Sequence, residues 1–244
     1  MTKPGIIGAI TAGGIIAAGE GSRLRAGGWS GSKPQLPIAG RPLIAHSLER
    51  FRDAGIVRIA MIINEESPDS RQWLEREGKA FNLDLVVRST PSSYASFRIV
   101  ADRLAGQAAV ITTVDSIMAA ADFRRFLIEA AKAPEGSFVL GLTAHVDDEK
   151  PLWASLDRMS GRIRALGEPN SGLVTAGVYV LPAQRPAEPA GGFARLRDYL
   201  GWLVTSGHPV HGVVIGQVFD IDRAEDAASA EAALAGETRR SKGA

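Results

Sequence analysis

Short apolar segments alternate with longer amphipathic segments along the first half of the chain. The apolar segments are rich in β-branched residues and too short for typical helices, which is typical of buried strands. These predicted strands are residues 57–63 (VRIAMII), 83–87 (LDLVV) and 108–115 (AAVITTVD). Strands separated by short helices predict a parallel sheet with both faces covered, and ligands of such sheets bind at the carboxyl ends of the strands.

Helices are predicted between these strands. The first begins at Pro42, carries Ile44, Leu48 and Phe51 on one face, and ends at Gly55. Further helices are predicted after residues 67–68, near 95–104, near 193–206, and in the alanine-rich segment after residue 221.

The second half of the chain contains more strand patterns, separated by turn residues. Strands are predicted at residues 137–144, 152–157, 172–181 and 213–221. The whole pattern predicts an α/β fold, a Rossmann-like three-layer sandwich with a mostly parallel central sheet, formed by residues 1–244 as a single domain. Residues 236–244 are expected to be a flexible tail.

The apolar run of residues 5–19 follows a lysine, as in a signal peptide. Five of its residues are glycine, and its removal would destroy the glycine loop that follows. We therefore interpret it as the first buried strand.

Composition limits the chemistry. The formal net charge is +1, so no broad field attracts nucleic acid or an anionic membrane, and we expect neither as a partner. The chain has no cysteine, which excludes disulfides, thiolate metal ligands and a cysteine nucleophile.

A glycine loop with basic residues follows the first predicted strand. Gly19 and Gly21 allow close approach of the backbone to a ligand, and Ser22, Arg23 and Lys33 add donors suited to phosphate oxygens. The loop lacks both the Gly-Lys-Ser/Thr ending of the Walker motif and the GxGxxG spacing of dinucleotide folds. It predicts a triphosphate site; the alternative is a tight strand-to-helix turn with solvated arginines.

The order of motifs around this loop is more specific. AAGEGSRL at residues 17–24 is followed by KPQLPIAGRPLI at 33–44, by Asp115 after an apolar strand, by TAGVYVL at 175–181 and by VFDIDRAED at 218–226. This order resembles the sugar-phosphate nucleotidyltransferases and their wider superfamily. The resemblance implies a nucleotide-diphospho-sugar transferase fold and transfer of a nucleoside monophosphate from a triphosphate to a phosphorylated acceptor, usually a sugar 1-phosphate, with release of pyrophosphate.

The resemblance also implies roles. Residues 1–135 would form the nucleotide-binding half and residues 136–235 the acceptor-binding half. Arg23 would bind the β and γ phosphates, and Lys33 would stabilise charge at the α phosphate, which makes both catalytic. The implied nucleotide-binding residues are Ala17, Ala18, Gly19, Gly21, Ser22, Arg23, Lys33 and Ser93. The second base-contacting loop, PSSYASF at residues 91–97, departs from the family's G-T/S-A pattern, which leaves the base open.

Two aspartates, Asp115 and Asp220, are the expected ligands of Mg²⁺. Each closes an apolar strand, so in a parallel sheet both would meet at the edge that faces the glycine loop. Asp222 is the alternative to Asp220, but its spacing to Glu225 matches a helix-capping box, which favours a structural role.

The expected acceptor-binding residues are Gly141, Glu168 and Thr175. The family's E-K-P reads E-P here, so the lysine that would hold the acceptor phosphate is missing. Two alternatives remain open: Arg162 or Arg164 substitutes for it, or the acceptor is not a hexose phosphate.

Three functions remain open. The first is nucleotidyl transfer to a sugar phosphate; the second is transfer to phosphocholine, a polyol phosphate or molybdopterin; the third is a nucleotide-binding domain without turnover. The predicted site retains four charged residues. They are Arg23, Lys33, Asp115 and Asp220, and together they disfavour a nucleotide-binding domain without turnover. The expected partners are a nucleoside triphosphate and a phosphorylated small molecule, with a homo-oligomer left open, and the expected location is cytoplasmic.

Overall fold

The computed structural model describes residues 10–146, 150–168 and 171–241, and only the backbone of residues 233–241. Its strands are β1 Ala12–Ala17, β2 Pro37–Ile38, β3 Arg41–Pro42, β4 Arg58–Ile63, β5 Leu83–Val87, β6 Ala109–Thr113, β7 Ser116–Met118, β8 Phe138–Thr143, β9 Ala154–Leu156, β10 Ile163–Leu166, β11 Val174–Leu181, β12 Val210–Val214 and β13 Val218–Asp220. Its helices are α1 Ser22–Ala26, α2 Leu43–Asp53, α3 Pro68–Glu77, α4 Ser93–Arg103, α5 Ala120–Ala130, α6 Leu196–Thr205 and α7 Ala224–Ser241.

Seven strands form one central sheet in the order β12-β8-β11-β6-β1-β4-β5. Six of them run parallel to one another, and β11 runs antiparallel to its neighbours β6 and β8. Strands of both halves of the sequence therefore share one sheet. The predicted mostly parallel sheet is confirmed.

A hydrophobic core lies on each face of the sheet. On one face, Leu48 of α2 and Phe123 of α5 belong to a cluster that also includes α3 and α7 residues. On the other face, Phe97 of α4 and Tyr199 of α6 form the second cluster. Helices therefore cover both faces, and the predicted three-layer α/β sandwich is confirmed.

Two predictions for the second half need correction. The predicted strand 213–221 is two strands, because the chain bends at Gly216, leaves the central sheet after β12 and pairs β13 with β7 instead. The backbone of residues 236–241 continues helix α7, where a flexible tail was expected, and residues 242–244 lie outside the described residues.

The first strand begins at Ala12, so the part of the apolar run from residue 5 to residue 9 lies outside the described residues. Among the helices that the structure describes, none is both long and apolar enough to cross a membrane.

Strand β1 carries the glycine loop and lies between the two layers of helices. All its residues are buried. A Cβ on Gly13 would lie 2.3 Å from the Phe51 ring, and one on Gly14 would lie 2.3 Å from the Val100 side chain. Glycine at these positions therefore lets α2 and α4 pack directly against the strand.

We expect Gly13→Ala and Gly14→Ala each to lower the free energy of unfolding by about 1–3 kcal/mol, because the added methyl group overpacks the core. Gly201→Ala is the control, since Gly201 lies in α6 with open space around it and alanine favours helices. Urea unfolding measures all three. A loss for Gly201→Ala equal to that of the β1 variants would contradict this account of the packing.

Candidate active site

The glycine loop leads from the end of β1 into the short helix α1. Gly21 has a φ of 63°, a left-handed conformation that favours glycine. A Cβ at Gly21 would also lie 3.0 Å from Cβ of Lys33. Glycine therefore permits both the turn and the close approach of the loop to Lys33.

A cavity of about 640 Å³ lies against this loop. Its size falls within the range of small-molecule sites. It is lined by all eight residues predicted to bind the nucleotide, namely Ala17, Ala18, Gly19, Gly21, Ser22, Arg23, Lys33 and Ser93.

Tyr94 departs from the small residues of the family pattern, and its ring lies outside the residues that line this cavity. Its hydroxyl donates a hydrogen bond to Glu188, and its ring packs edge-on against Phe193 at 5.2 Å. Burial and Glu188 raise its pKa to about 12. Tyr94 therefore packs α4 against the loop that precedes α6. Ser92 and Ser93 remain at the cavity.

Three carboxylates converge beside Lys33. Asp115, Asp220 and Asp222 each offer an oxygen within 4.8 Å of the others. Asp115 lies in the turn between β6 and β7, and β13 pairs with β7 so that Asp220 stands opposite Ser116. The aspartates meet as expected, but the small sheet of β7 and β13 brings Asp220 there rather than the edge of the central sheet.

The Lys33 ammonium lies between two of these carboxylates. Its Nζ is 2.6 Å from Oδ2 of Asp115 and 2.7 Å from Oδ1 of Asp222, and the side chain is 8% exposed. Burial alone would lower the pKa of Lys33, but the aspartates outweigh it and raise the pKa above its usual value. Burial would likewise raise the pKa of Asp115, and Lys33 outweighs it and lowers that pKa. Both groups are therefore charged at neutral pH.

The contacts of Asp222 differ from the capping role that the sequence favoured. Its carboxylate accepts hydrogen bonds from Lys33 and from Arg23. The carboxylate that accepts from the backbone N–H groups of Asp222 and Arg223 is Asp226, at 2.9 and 2.6 Å. The predicted capping box of Asp222 with Glu225 is therefore wrong, because the acid that caps the helix is Asp226, one residue later. The Asp222 side chain faces the candidate site instead.

The residues present fit a divalent cation. Carboxylate oxygens are the ligands that Mg²⁺ prefers in proteins. Oδ1 of Asp115 is buried and has no hydrogen-bond partner among the described residues, so it is open to a further electrophilic partner.

A second cavity of about 310 Å³ adjoins the first, and Ser93, Thr113 and Asp115 line both. Asp220 and the predicted acceptor residue Thr175 also line the second cavity. Its hydroxyl groups come from Ser93, Thr113, Ser116, Thr143, Thr175 and Tyr179. A cavity lined by many hydroxyl groups and two carboxylates suits a polar ligand.

Two predicted acceptor residues are not brought to this cavity. Gly141 lies in β8, where a Cβ would meet the side chains of Val178 at 2.4 Å and Ile215 at 2.7 Å, so its role is core packing. Glu168 is exposed and is absent from the described lining of both cavities.

The arginines considered as substitutes for the missing lysine also lie elsewhere. Arg164 pairs with Asp157 at 2.6 Å, and Arg162 donates to the His208 carbonyl at 3.5 Å. Sequence reasoning missed Arg197, which lines the second cavity. Its position at the start of a helix next to a proline-rich loop gave no signal, because that position depends on how α6 packs.

An irregularity in β11 lies next to Ser116, the residue that follows Asp115. The pairing of β11 with β8 shifts between Thr175 and Tyr179, and Gly177 has a φ of 65°. A Cβ at Gly177 would lie 1.9 Å from Oγ of Ser116. Glycine thus allows β11 to touch the turn that carries Asp115.

Fold and site together define a class: α/β proteins in which a cavity on a basic glycine loop lies beside a carboxylate cluster. The sequence model of the MobA-like NTP transferase domain family matches residues 13–200, and the chain belongs to this family. The resemblance to the nucleotidyltransferases is thereby confirmed.

Individual relatives agree with this family. A glucose-1-phosphate thymidylyltransferase of Actinoplanes sp. is 29% identical over 176 residues, which cover 69% of this chain and 57% of the relative. Another, of Streptomyces griseus, is 24% identical over 214 residues, covering 82% of this chain and 59% of the relative. The chain thus spans less than two thirds of the length of these curated relatives.

A solved structure shares the fold. The inositol-1-phosphate CTP transferase from T. maritima superposes with a TM-score of 0.73 at 19% identity, covering 90% of this chain and 92% of the other. The predicted nucleotide-diphospho-sugar transferase fold is confirmed.

We expect Gly177→Ala to lower the free energy of unfolding by about 1–3 kcal/mol more than Gly106→Ala. Both glycines have a left-handed φ. A Cβ at Gly177 would collide with the Ser116 side chain, whereas nothing lies within 4 Å of a Cβ at Gly106. Urea unfolding of the two variants separates contact from backbone strain. Equal losses would show that the approach of β11 to Ser116 is unimportant.

Proposed function

We propose that this chain transfers a nucleoside monophosphate from a nucleoside triphosphate to a sugar 1-phosphate in a Mg²⁺-dependent reaction that releases pyrophosphate. The observation that carries this proposal is the position of Asp115. It stands in the wall between a cavity on a basic glycine loop and a second, hydroxyl-rich cavity. Two substrates held in these cavities would meet at this carboxylate.

The first cavity would hold the triphosphate. The backbone from Ala17 to Gly19 would flank the base, and N–H groups of the loop with Gly21 and Ser22 would contact the phosphates. Arg23 would bind the β and γ phosphates, and Lys33 would offset the charge that develops at the α phosphate.

The second cavity would hold the acceptor. An oxygen of its phosphate attacks the α phosphorus in line, forming a new O–P bond as the bond from the α phosphorus to the bridging oxygen breaks and pyrophosphate leaves. Thr175 would contact the acceptor. No protein nucleophile is needed, since both reacting groups are held by the protein in the correct orientation.

Asp115 and Asp220 would hold Mg²⁺, which offsets phosphate charge when bound. For these ligands to become available, Lys33 must exchange its bond to Asp115 for contacts with the triphosphate. Asp222 would keep Arg23 oriented during this exchange, because Arg23 is one of its partners.

The sugar phosphate is proposed because glucose-1-phosphate thymidylyltransferases are among the relatives of this chain. A polyol phosphate is the second candidate, because the structure of an inositol-1-phosphate CTP transferase superposes on the chain and the E-P segment lacks the acceptor lysine of the family pattern. Such substrates occur in the cytoplasm, where we therefore place the chain.

A screen for pyrophosphate release tests the proposal. Each of the common nucleoside triphosphates is combined with sugar 1-phosphates, inositol 1-phosphate, phosphocholine and molybdopterin, with and without Mg²⁺. We expect release that needs a triphosphate, a sugar 1-phosphate and the metal together. Triphosphate binding without release for any acceptor would instead assign the chain a purely binding role.

We expect Lys33→Ala to lower kcat by about 10²-fold or more while the KM for the triphosphate changes little, because its charge matters most in the transition state. Steady-state kinetics with the productive substrate pair measures both constants. Lys132→Ala is the matched control, since Lys132 is an exposed partner of Glu129 and is absent from the described lining of both cavities. A raised KM with unchanged kcat would remove Lys33 from the chemistry.

Asparagine substitutions separate the carboxylates. We expect Asp115→Asn and Asp220→Asn each to raise the Mg²⁺ concentration needed for half-maximal turnover by about 10-fold or more, because a metal ligand is lost. Asp222→Asn should leave that concentration nearly unchanged and raise the KM for the triphosphate through Arg23. If Asp222→Asn shifts the Mg²⁺ dependence and Asp220→Asn does not, the second ligand is Asp222.

A further inference from the structure

One cation in the second cavity has no carboxylate partner among the residues that the structure describes. Arg197 of α6 is the only arginine or lysine among the described residues that line this cavity. Its Nη2 donates to the carbonyl oxygen of Lys150 at 2.7 Å. No carboxylate of the described residues forms an ion pair with it. Within the described residues, its positive charge is therefore not neutralised by an ion pair.

The neighbouring arginines differ in this respect. Arg164 is paired with Asp157, and Arg195, two residues before Arg197, is paired with Asp198 at 3.2 Å. Both are absent from the described lining of the second cavity. Arg197 thus combines a guanidinium that no described carboxylate pairs with and a position in the wall of the cavity.

The charge of Arg197 acts on the same part of the cavity as the carboxylates. Tyr179 is buried and lines the cavity, and its pKa is raised by burial and then by Asp115 and Asp220, whereas Arg197 acts in the opposite direction. The guanidinium, the two carboxylates and Tyr179 all belong to the lining of this one cavity.

An acceptor phosphate in this cavity would bring negative charge next to two aspartates. Cations must offset that charge, and the family lysine that would do so is missing from the E-P segment. A guanidinium has five N–H donors in a planar fork that matches phosphate oxygens. One donor of Arg197 is used by the Lys150 carbonyl, which leaves the rest of the fork for a ligand.

Building on the function proposed above, we propose that Arg197 binds the phosphate group of the acceptor, in the role that the missing lysine would otherwise have. The acceptor anion is thus recognised from helix α6 and not from the β9–β10 hairpin that carries Arg162 and Arg164. The bond to the Lys150 carbonyl holds the guanidinium over the cavity.

Calorimetric titration tests this role without relying on turnover. Glucose 1-phosphate is the probe and glucose is its unphosphorylated control, each titrated into the chain with Mg²⁺ present. The variants are Arg197→Gln, Arg197→Lys, the matched control Arg195→Gln, and Arg164→Gln. Thermal unfolding of each variant verifies that it is folded at the temperature of the titration.

We expect wild-type protein to bind glucose 1-phosphate more tightly than glucose, and Arg197→Gln to weaken glucose 1-phosphate binding by about 10- to 100-fold without affecting glucose. Arg197→Lys should restore part of the affinity, and Arg195→Gln and Arg164→Gln should match wild type. In turnover assays, Arg197→Gln should raise the acceptor KM and leave the triphosphate KM within about twofold.

The two proposals fail in different ways. Binding that depends on Arg197 without pyrophosphate release would retain this inference and refute the transferase function. Release by wild type with an acceptor KM that Arg197→Gln changes no more than Arg195→Gln does would retain the function and overturn this inference. Equal wild-type affinities for glucose 1-phosphate and glucose would also overturn it, and a larger effect of Arg164→Gln would assign the anion to the hairpin.

Discussion

The buried ammonium of Lys33 joins three distant segments of the chain at one point. Asp115 follows β6 and Asp222 follows β13, and each carboxylate lies within 2.7 Å of Nζ. A buried charge is stable only when it is paired, and removing one partner from a buried pair typically costs about 3–5 kcal/mol. The position of the glycine loop relative to the carboxylates is therefore fixed by the same ion pairs that neutralise them.

This arrangement also explains how an anion site and a cation site can share one place. The carboxylates need a cation, and Lys33 supplies it within the chain. A bound triphosphate would supply negative charge to Lys33, and a bound divalent metal would supply positive charge to the carboxylates. Lys33 would then pair with phosphate while Asp115 and Asp220 bind the metal. The exchange replaces each charge contact with another, so little net charge is left unpaired at any stage.

Sequence patterns predicted the lining of the cavity on the glycine loop better than the lining of the second cavity. The residues around Gly19 and Gly21 are adjacent in sequence and follow a strongly apolar strand, so their placement depends on local structure. Asp220 and Asp115 are more than a hundred positions apart. Their proximity was predicted from strand ends, although the antiparallel pair of β7 and β13 produces it, and no local pattern predicts that pair.

The lining of the second cavity depends on packing between elements. Gly141 matched an expected binding glycine, but its neighbours Val178 and Ile215 come from strand β11 and from the segment after β12. Arg197 carries no motif, and only the packing of α6 against the sheet brings it to the cavity. The capping pattern at Asp222 was misleading because a second acid, Asp226, stands one residue beyond Glu225 and accepts the backbone bonds.

We propose that the carboxylate cluster exchanges Lys33 for a metal when the triphosphate binds. A crystal structure with Mg²⁺ and a triphosphate whose α–β bridge cannot be cleaved tests it most directly. We expect a metal ion bonded to Asp115 and Asp220, phosphates on the glycine loop, and Nζ of Lys33 moved from Asp115 to the α phosphate. A triphosphate bound away from the loop, or Lys33 still paired with Asp115 and no metal between the aspartates, would contradict it.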